Sequence, residues 1–144
     1  MPAFDIRPAL PADAAELARL SGQLGYPVDA GEMSRRLALV LADPARAVLV
    51  ADAGGNLLGW LGVEQRTTLE GGTQAEIVGF VVDARVRRSG VGQRLLQAAE
   101  AWTRERGFAE LRVRSNIARA ESHPFYEKHG FVRKKTQHVY AKRF

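Results

Sequence analysis

Arginine, serine and glycine gather in one short stretch, Arg87-Arg88-Ser89-Gly90-Val91-Gly92, between an apolar run and a long amphipathic pattern. Glycines let backbone amides approach a ligand closely, because no Cβ stands in the way. The first amides of a following helix have no acceptor of their own, and the helix dipole puts partial positive charge there. A pyrophosphate fits such a place. The same residues also read as a plain strand-to-helix turn. Two rival phosphate motifs fail on spacing. A P-loop needs lysine and then serine or threonine after its last glycine, whereas Gly92 is followed by Gln93-Arg94. The dinucleotide fingerprint needs a third glycine where this chain has Leu95. What is left is Arg-x-x-Gly-x-Gly running straight into a helix. No spacing of His, Asp or Glu suggests a metal site, and no serine sits in a nucleophile elbow.

The elements that must position this loop follow from periodicity and turn residues. Residues 4–7 alternate as a short strand, ended by Pro8 and Pro11. Leu17, Leu20 and Leu24 recur at helical spacing over residues 14–24, and Gly25-Tyr26-Pro27 closes that helix. Met33, Leu37, Val40 and Leu41 mark a second helix over 31–41. Residues 47–51 and 57–67 read as two strands joined by the turn Asp52-Ala53-Gly54-Gly55-Asn56. After Glu70-Gly71-Gly72, residues 76–82 form a third strand, apolar enough to have both faces covered. Residues 91–106 are the strongest helix, with Leu95, Leu96, Ala99, Trp102 and Thr103 on one face and Gly107 as its stop. A strand over 111–114, a short helix over 120–129 and a hairpin of 131–132 with 136–142 complete the chain. The fold class expected is mixed α/β, a mostly antiparallel central sheet flanked by helices, in the order β-α-α-β-β-β-α-β-α-β-β.

Composition bounds the function. With 144 residues, of which 46% are hydrophobic, one domain over 1–144 with an ordinary core is expected. There is no cysteine, which removes disulfides, thiolate metal sites and cysteine nucleophiles. The net charge of +5 comes mostly from arginine, since only Lys128, Lys134, Lys135 and Lys142 are lysines. It allows nucleic acid, a membrane surface or a phosphorylated ligand as the anion met. No basic cluster with interleaved aromatics marks a nucleic-acid reading element, so no nucleic-acid partner is expected. No apolar run of membrane-spanning length occurs, and the first residues lack a signal-peptide pattern, so no membrane partner and a cytoplasmic location are expected.

The loop and what flanks it resemble the GCN5-related N-acetyltransferase (GNAT) family over nearly the whole chain. Arg87, Gly90 and Gly92 fill that family's Gln/Arg-x-x-Gly-x-Gly/Ala acetyl-CoA signature. Ile6-Arg7-Pro8-Ala9 opens as members do, the strand Ala75-Glu76-Ile77 to Val81-Val82-Asp83 matches, and Asn116 stands ten residues before Tyr126. Phe125-Tyr126-Glu127-Lys128-His129-Gly130-Phe131 is similar to the family's Tyr-Glu-x-x-Gly-Phe element.

The resemblance implies an acetyl-CoA-dependent N-acetyltransferase, with acetyl-CoA as cosubstrate and no metal. It implies direct transfer in a ternary complex to a primary amine of a small molecule or peptide. The amides from Arg88 through Ser89, Gly90, Val91 and Gly92 to Gln93 would hold the pyrophosphate, with Arg87, Arg88 and Arg94 adding charge. Val81 and Val82 would offer main-chain groups to the pantetheine arm, the Val82 N–H serving as oxyanion donor. The strand 111–114 would splay from 76–82 to open room for that arm. Asn116 would touch the arm. Tyr126 would protonate the departing thiolate as general acid. Glu76 would act as base, directly or through water. Many members carry a further acidic residue where this chain has Val78 and Gly79, so Glu64, Glu121 and His123 stay open as alternatives. Tyr26 would form one wall of the acceptor pocket, while Trp60 and Phe80 read as core. A homodimer through the C-terminal strands is the family-level expectation. A binding module that holds acyl-CoA as a sensor, without turnover, is the competing reading.

Overall fold

The structure is a computed structural model that describes residues 3–115 and 122–144. Two compact units emerge, Met1–Val113 and Arg114–Phe144. Among the described residues of the first unit lie strands β1 (Asp5–Pro8), β2 (Arg46–Ala53), β3 (Asn56–Thr68), β4 (Gly72–Val82) and β5 (Leu111–Val113), with helices α1 (Ala14–Gln23), α2 (Ala30–Leu41) and α3 (Val91–Glu105). The second unit holds α4 (Ser122–Lys128).

The sheet runs β1-β2-β3-β4-β5. Its first three pairings are antiparallel and β4–β5 is parallel. Short turns make the antiparallel pairs, as in Gly54-Gly55, where both residues take the positive φ that a tight hairpin demands. The parallel partner arrives only after the α3 crossover, as parallel geometry requires. α1 buries Ala14, Leu17, Ala18, Leu20 and Ser21, and α3 buries Val91, Leu95, Leu96, Ala99 and Thr103. These are the apolar stripes that the periodicity predicts. Trp102 instead lies half-buried with the Arg106 guanidinium 4.4 Å above its ring. α2 starts at Asp29, whose carboxylate caps the Glu32 N–H at 2.8 Å.

The element order agrees with expectation through α4. The expected final hairpin does not form: residues 131–144 carry no strand. Arg133-Lys134-Lys135 would have to make its turn, without glycine, asparagine or aspartate and with three like charges. Residues 136–142 also mix polar and apolar side chains on both faces, so no register is specified.

Candidate active site

The arginine- and glycine-bearing loop hangs from a buried carboxylate. Asp83, wholly buried, follows β4 and accepts hydrogen bonds from Arg85 Nη2 at 2.8 Å, the Arg85 backbone N–H at 3.0 Å, Arg19 Nη1 at 3.1 Å and Gln23 Nε2 at 3.4 Å. Its own N–H donates to the Leu58 carbonyl at 2.8 Å. The Arg85 side chain above all, then its backbone N–H, Arg19 and Gln23, hold the Asp83 carboxyl far below the usual carboxylate range, against the effect of burial. Gln23 completes the link, its Oε1 accepting from the Ala84 N–H at 2.9 Å. Arg19 also donates to the Leu57 carbonyl at 2.9 Å, and Glu16 holds Arg19 at 2.7 Å. One face of α1 is thereby bound to the end of β4 and the start of the loop.

From there the chain makes a 3₁₀ turn (Ala84–Val86), and the Ser89 hydroxyl donates to the Val86 carbonyl. Arg88 and Gly90 adopt positive φ, 64° and 91°. A side chain at Gly90 would meet open space, so its glycine answers a conformational need. Gly90 is the N-cap of α3 and provides no side-chain cap. The first intrahelical bond runs from the Arg94 N–H to the Gly90 carbonyl at 3.1 Å, which leaves the amides of Gly90, Val91, Gly92 and Gln93 without intrahelical acceptors. Arg87, Arg88 and Ser89 are exposed beside them. Arg94 is engaged elsewhere: its Nη1 donates to the Phe4 carbonyl at 3.0 Å and its guanidinium stacks 4.3 Å above the Phe4 ring.

β4 leads into this loop and is irregular in the middle. Gly62 pairs with Gly79 but Val63 pairs with Ile77, so Val78 is the extra residue of a β-bulge. The ladder with β5 covers Ala75, Glu76 and Ile77 and ends there, while β4 continues to Val82 paired with β3. Val81 lies in the core and Val82 is half-buried. Glu76 is buried, and Arg66 Nη1 donates to it at 3.2 Å. It stands opposite Glu64 on β3 and opposite Arg112 on β5, so these three side chains share one face of the sheet.

On the α1–α2 side lies a cavity of about 320 Å³ that the sequence reading did not find. Leu17, Met33 and Leu37 line it from the helices, and Val48, Trp60 and Gly62 from the sheet. Val78 and Gly79 of the bulge form its far wall, and Glu64 is its carboxylate. Trp60, expected in the core, packs half-buried against the core cluster and is also a wall of this cavity, and among the described residues its Nε1 is the buried side-chain polar atom without a hydrogen-bond partner. A Cβ on Gly79 would stand 2.5 Å from the Trp60 ring. The indole therefore occupies the space that an acidic side chain at 79 would need. Tyr26 sits after α1, 64% exposed, and is not among the lining residues.

In the second unit, Tyr126 lies on α4, half-buried, with ring centroids of Phe125 at 5.7 Å and Phe131 at 5.6 Å, both edge-on. The Phe131 N–H donates to the Tyr126 carbonyl at 3.0 Å, closing the helix after Gly130. His123 is half-buried on the same helix. Asn116 and Glu121 lie outside the described residues. Among the described residues no group of three or more His, Cys, Asp or Glu is placed to hold a metal, and no helix is long and apolar enough to cross a membrane.

The site is thus an uncapped helix entered from the bulged strand of a five-stranded mixed sheet. The chain belongs to the acetyltransferase (GNAT) family, whose model matches residues 14–131, and it is therefore an N-acetyltransferase. It is similar to the aminoglycoside N(6')-acetyltransferase type 1 of Stenotrophomonas maltophilia, 38% identical over 131 residues, which are 88% of this chain and 84% of that protein. Its fold matches the crystal structure of an aminoglycoside antibiotic 6'-N-acetyltransferase from Acinetobacter haemolyticus with TM-score 0.83, at 21% identity, covering 97% of this chain and 99% of the other. It also matches an aminoglycoside N-acetyltransferase crystallised with coenzyme A, with TM-score 0.87 at 20% identity, covering 99% and 96%.

Proposed function

We propose that the chain transfers acetyl from acetyl-CoA directly to a primary amine of a small molecule, in a ternary complex, as one domain over 1–144. The observation that carries this reading is the α3 N-terminus, uncapped at left-handed Gly90 and fed by the bulged end of β4. Amides from Arg88 to Gln93 face a ligand there without a side-chain competitor, which suits a pyrophosphate. Arg87 and Arg88 add charge to it, and Asn116 belongs with the same arm. Relatives named as acting on aminoglycosides support a small-molecule amine as acceptor.

Acetyl-CoA supplies the thioester. The Val82 main chain aligns its arm, since β4 outruns the β5 ladder beyond Ile77, while the main-chain groups of Val81, expected to share that task, face Trp60 in the β3 ladder. The Val82 N–H donates to the carbonyl oxygen as negative charge builds on it. The free amine nitrogen bonds to the acetyl carbon, the C–S bond breaks and the acylated nitrogen gives up a proton to solvent; before the attack, the ammonium form of the acceptor must shed one proton. Glu76 takes that proton through water, with Glu64 opposite it on the cavity side. Tyr126 protonates the sulfur, giving free thiol and amide. Tyr26 borders the acceptor entrance from the end of α1. The 14 residues of the C-terminal segment 131–144 include exposed Val132, Val139, Tyr140 and Phe144, which suit a homodimer contact. Sedimentation that shows monomer at all concentrations would remove the dimer.

The test pairs calorimetry of acetyl-CoA binding with thiol release over an amine panel. Binding together with acceptor-dependent release is expected. Tight binding without such release would replace the enzyme reading with the sensor reading. Within the enzyme reading, Tyr126→Phe should lower kcat by about 10²-fold with little change in acetyl-CoA affinity. Glu76→Gln should lower kcat/KM by about 10²-fold near neutral pH and recover toward high pH, where the amine is already deprotonated. A Tyr126→Phe enzyme with unchanged kcat removes Tyr126 from the mechanism, and a flat deficit of Glu76→Gln across pH removes Glu76 as base.

A further inference from the structure

The cavity beneath α2 has a chemistry that narrows the acceptor, given the acyltransferase reading on which this rests. It reaches the bulge residues Val78 and Gly79, on the strand whose far end carries the proposed oxyanion donor. Its body is apolar, built from Met33, Leu37, Val48 and the Trp60 ring. At about 320 Å³ it sits at the small end of the roughly 300–1,000 Å³ typical of ligand sites. Among the described residues three charged ones line it: Arg36, Arg46 and Glu64. The two arginines are the more exposed and form its rim, with side chains 61% and 44% accessible against 24% for Glu64. The carboxylate is already paired, with Arg46 Nε 3.6 Å from it.

A polycationic sugar needs several carboxylates, one for each ammonium group it buries, because an uncompensated buried charge is expensive. Among the described residues this lining offers one, with two guanidiniums beside it, each also held from outside the cavity by one carboxylate, Arg36 by Glu32 at 3.1 Å and Arg46 by Asp43 at 3.3 Å. We infer that the acceptor is a monoamine on a compact apolar body, such as an arylalkylamine or branched alkylamine, and not a polycation. The apolar body replaces water against Met33, Leu37, Val48 and Trp60, at about 0.8 kcal/mol per buried CH₂. The single ammonium group turns toward Glu64 and the bulge, and a second one would meet the rim arginines.

Thiol release with acetyl-CoA tests this, comparing 2-phenylethylamine and isoamylamine with kanamycin and spermidine. The apolar monoamines should show kcat/KM at least about tenfold higher. Arg36→Glu, a change at an exposed rim position, should shift the ratio of spermidine to 2-phenylethylamine turnover toward spermidine by about tenfold. Val40→Trp, which fills the cavity from α2, should raise KM for 2-phenylethylamine more than it changes acetyl-CoA affinity. Higher kcat/KM for kanamycin or spermidine than for the monoamines overturns the inference and leaves the acyltransferase reading standing. Release from none of the four amines but from another member of the amine panel overturns the inference alone, and acetyl-CoA binding with no release across the whole panel overturns both.

Discussion

Gly92→Trp is expected to abolish acetyl-CoA binding, weakening it by at least about 10²-fold, while the fold survives. Gly92 is the second residue of α3, two positions past the left-handed Gly90 cap. An indole there would cover the first-turn amides and exclude a pyrophosphate from them. Tryptophan has better helix propensity than glycine, by a few tenths of a kcal/mol, so α3 itself should not weaken. Calorimetry and thermal melting separate the two effects. An unchanged melting temperature with lost binding places the ligand on these amides. Retained binding in a folded Gly92→Trp protein would move the anion site off the α3 N-terminus and remove the basis of the proposed function.

Asp83→Ala is the second large effect, and it falls on stability. The wholly buried carboxylate gathers hydrogen bonds from Arg85, Arg19 and Gln23, and so joins α1 to the loop. Removing it leaves the Arg19 and Arg85 guanidiniums without that partner and opens the start of the loop. A loss of about 3 kcal/mol is expected, read by urea denaturation. The pH dependence carries the same signature. The folded-state carboxyl titrates below its unfolded value, so its contribution is complete above the ordinary aspartate range near pH 4 and is lost as pH falls below it. Asp83→Ala should therefore be less stable than the parent at neutral pH, and the gap should close in acid. A gap that stays constant into acid would show that Asp83 acts through packing and not through its charge.

Both effects bear on the same few residues, and the two were not equally legible. The loop Arg87–Gly92 was readable because glycine and helix-start signals are local: each depends on residues within a few positions. Gly54-Gly55, Gly90 and Gly107 take the positive φ that their types predict. The stripes of α1 and α3 were readable for the same reason. The cavity beside Trp60 was not, because its walls come from Gly62, Gly79 and α2, residues that share no local pattern with the indole. The glycines at 62 and 79 were the available signal: two residues without side chains on neighbouring strands leave room for a large ring. The Arg94 contact with Phe4 was not legible either, because nothing in the neighbourhood of Arg94 announces a residue 90 positions away.

By itself the sequence determined the order of elements through α4, the antiparallel turns, and a glycine-bearing helix start suited to an anion. These follow from backbone preferences and periodicity, which act over a few residues. Only the tertiary structure decided that Asp83 binds Arg19, 64 positions away, that the β5 ladder ends at Ile77, and that α2 stands over an apolar cavity rimmed by arginine. Strand register and helix packing are set by the sum of many distant contacts, and no short stretch of the chain contains that sum.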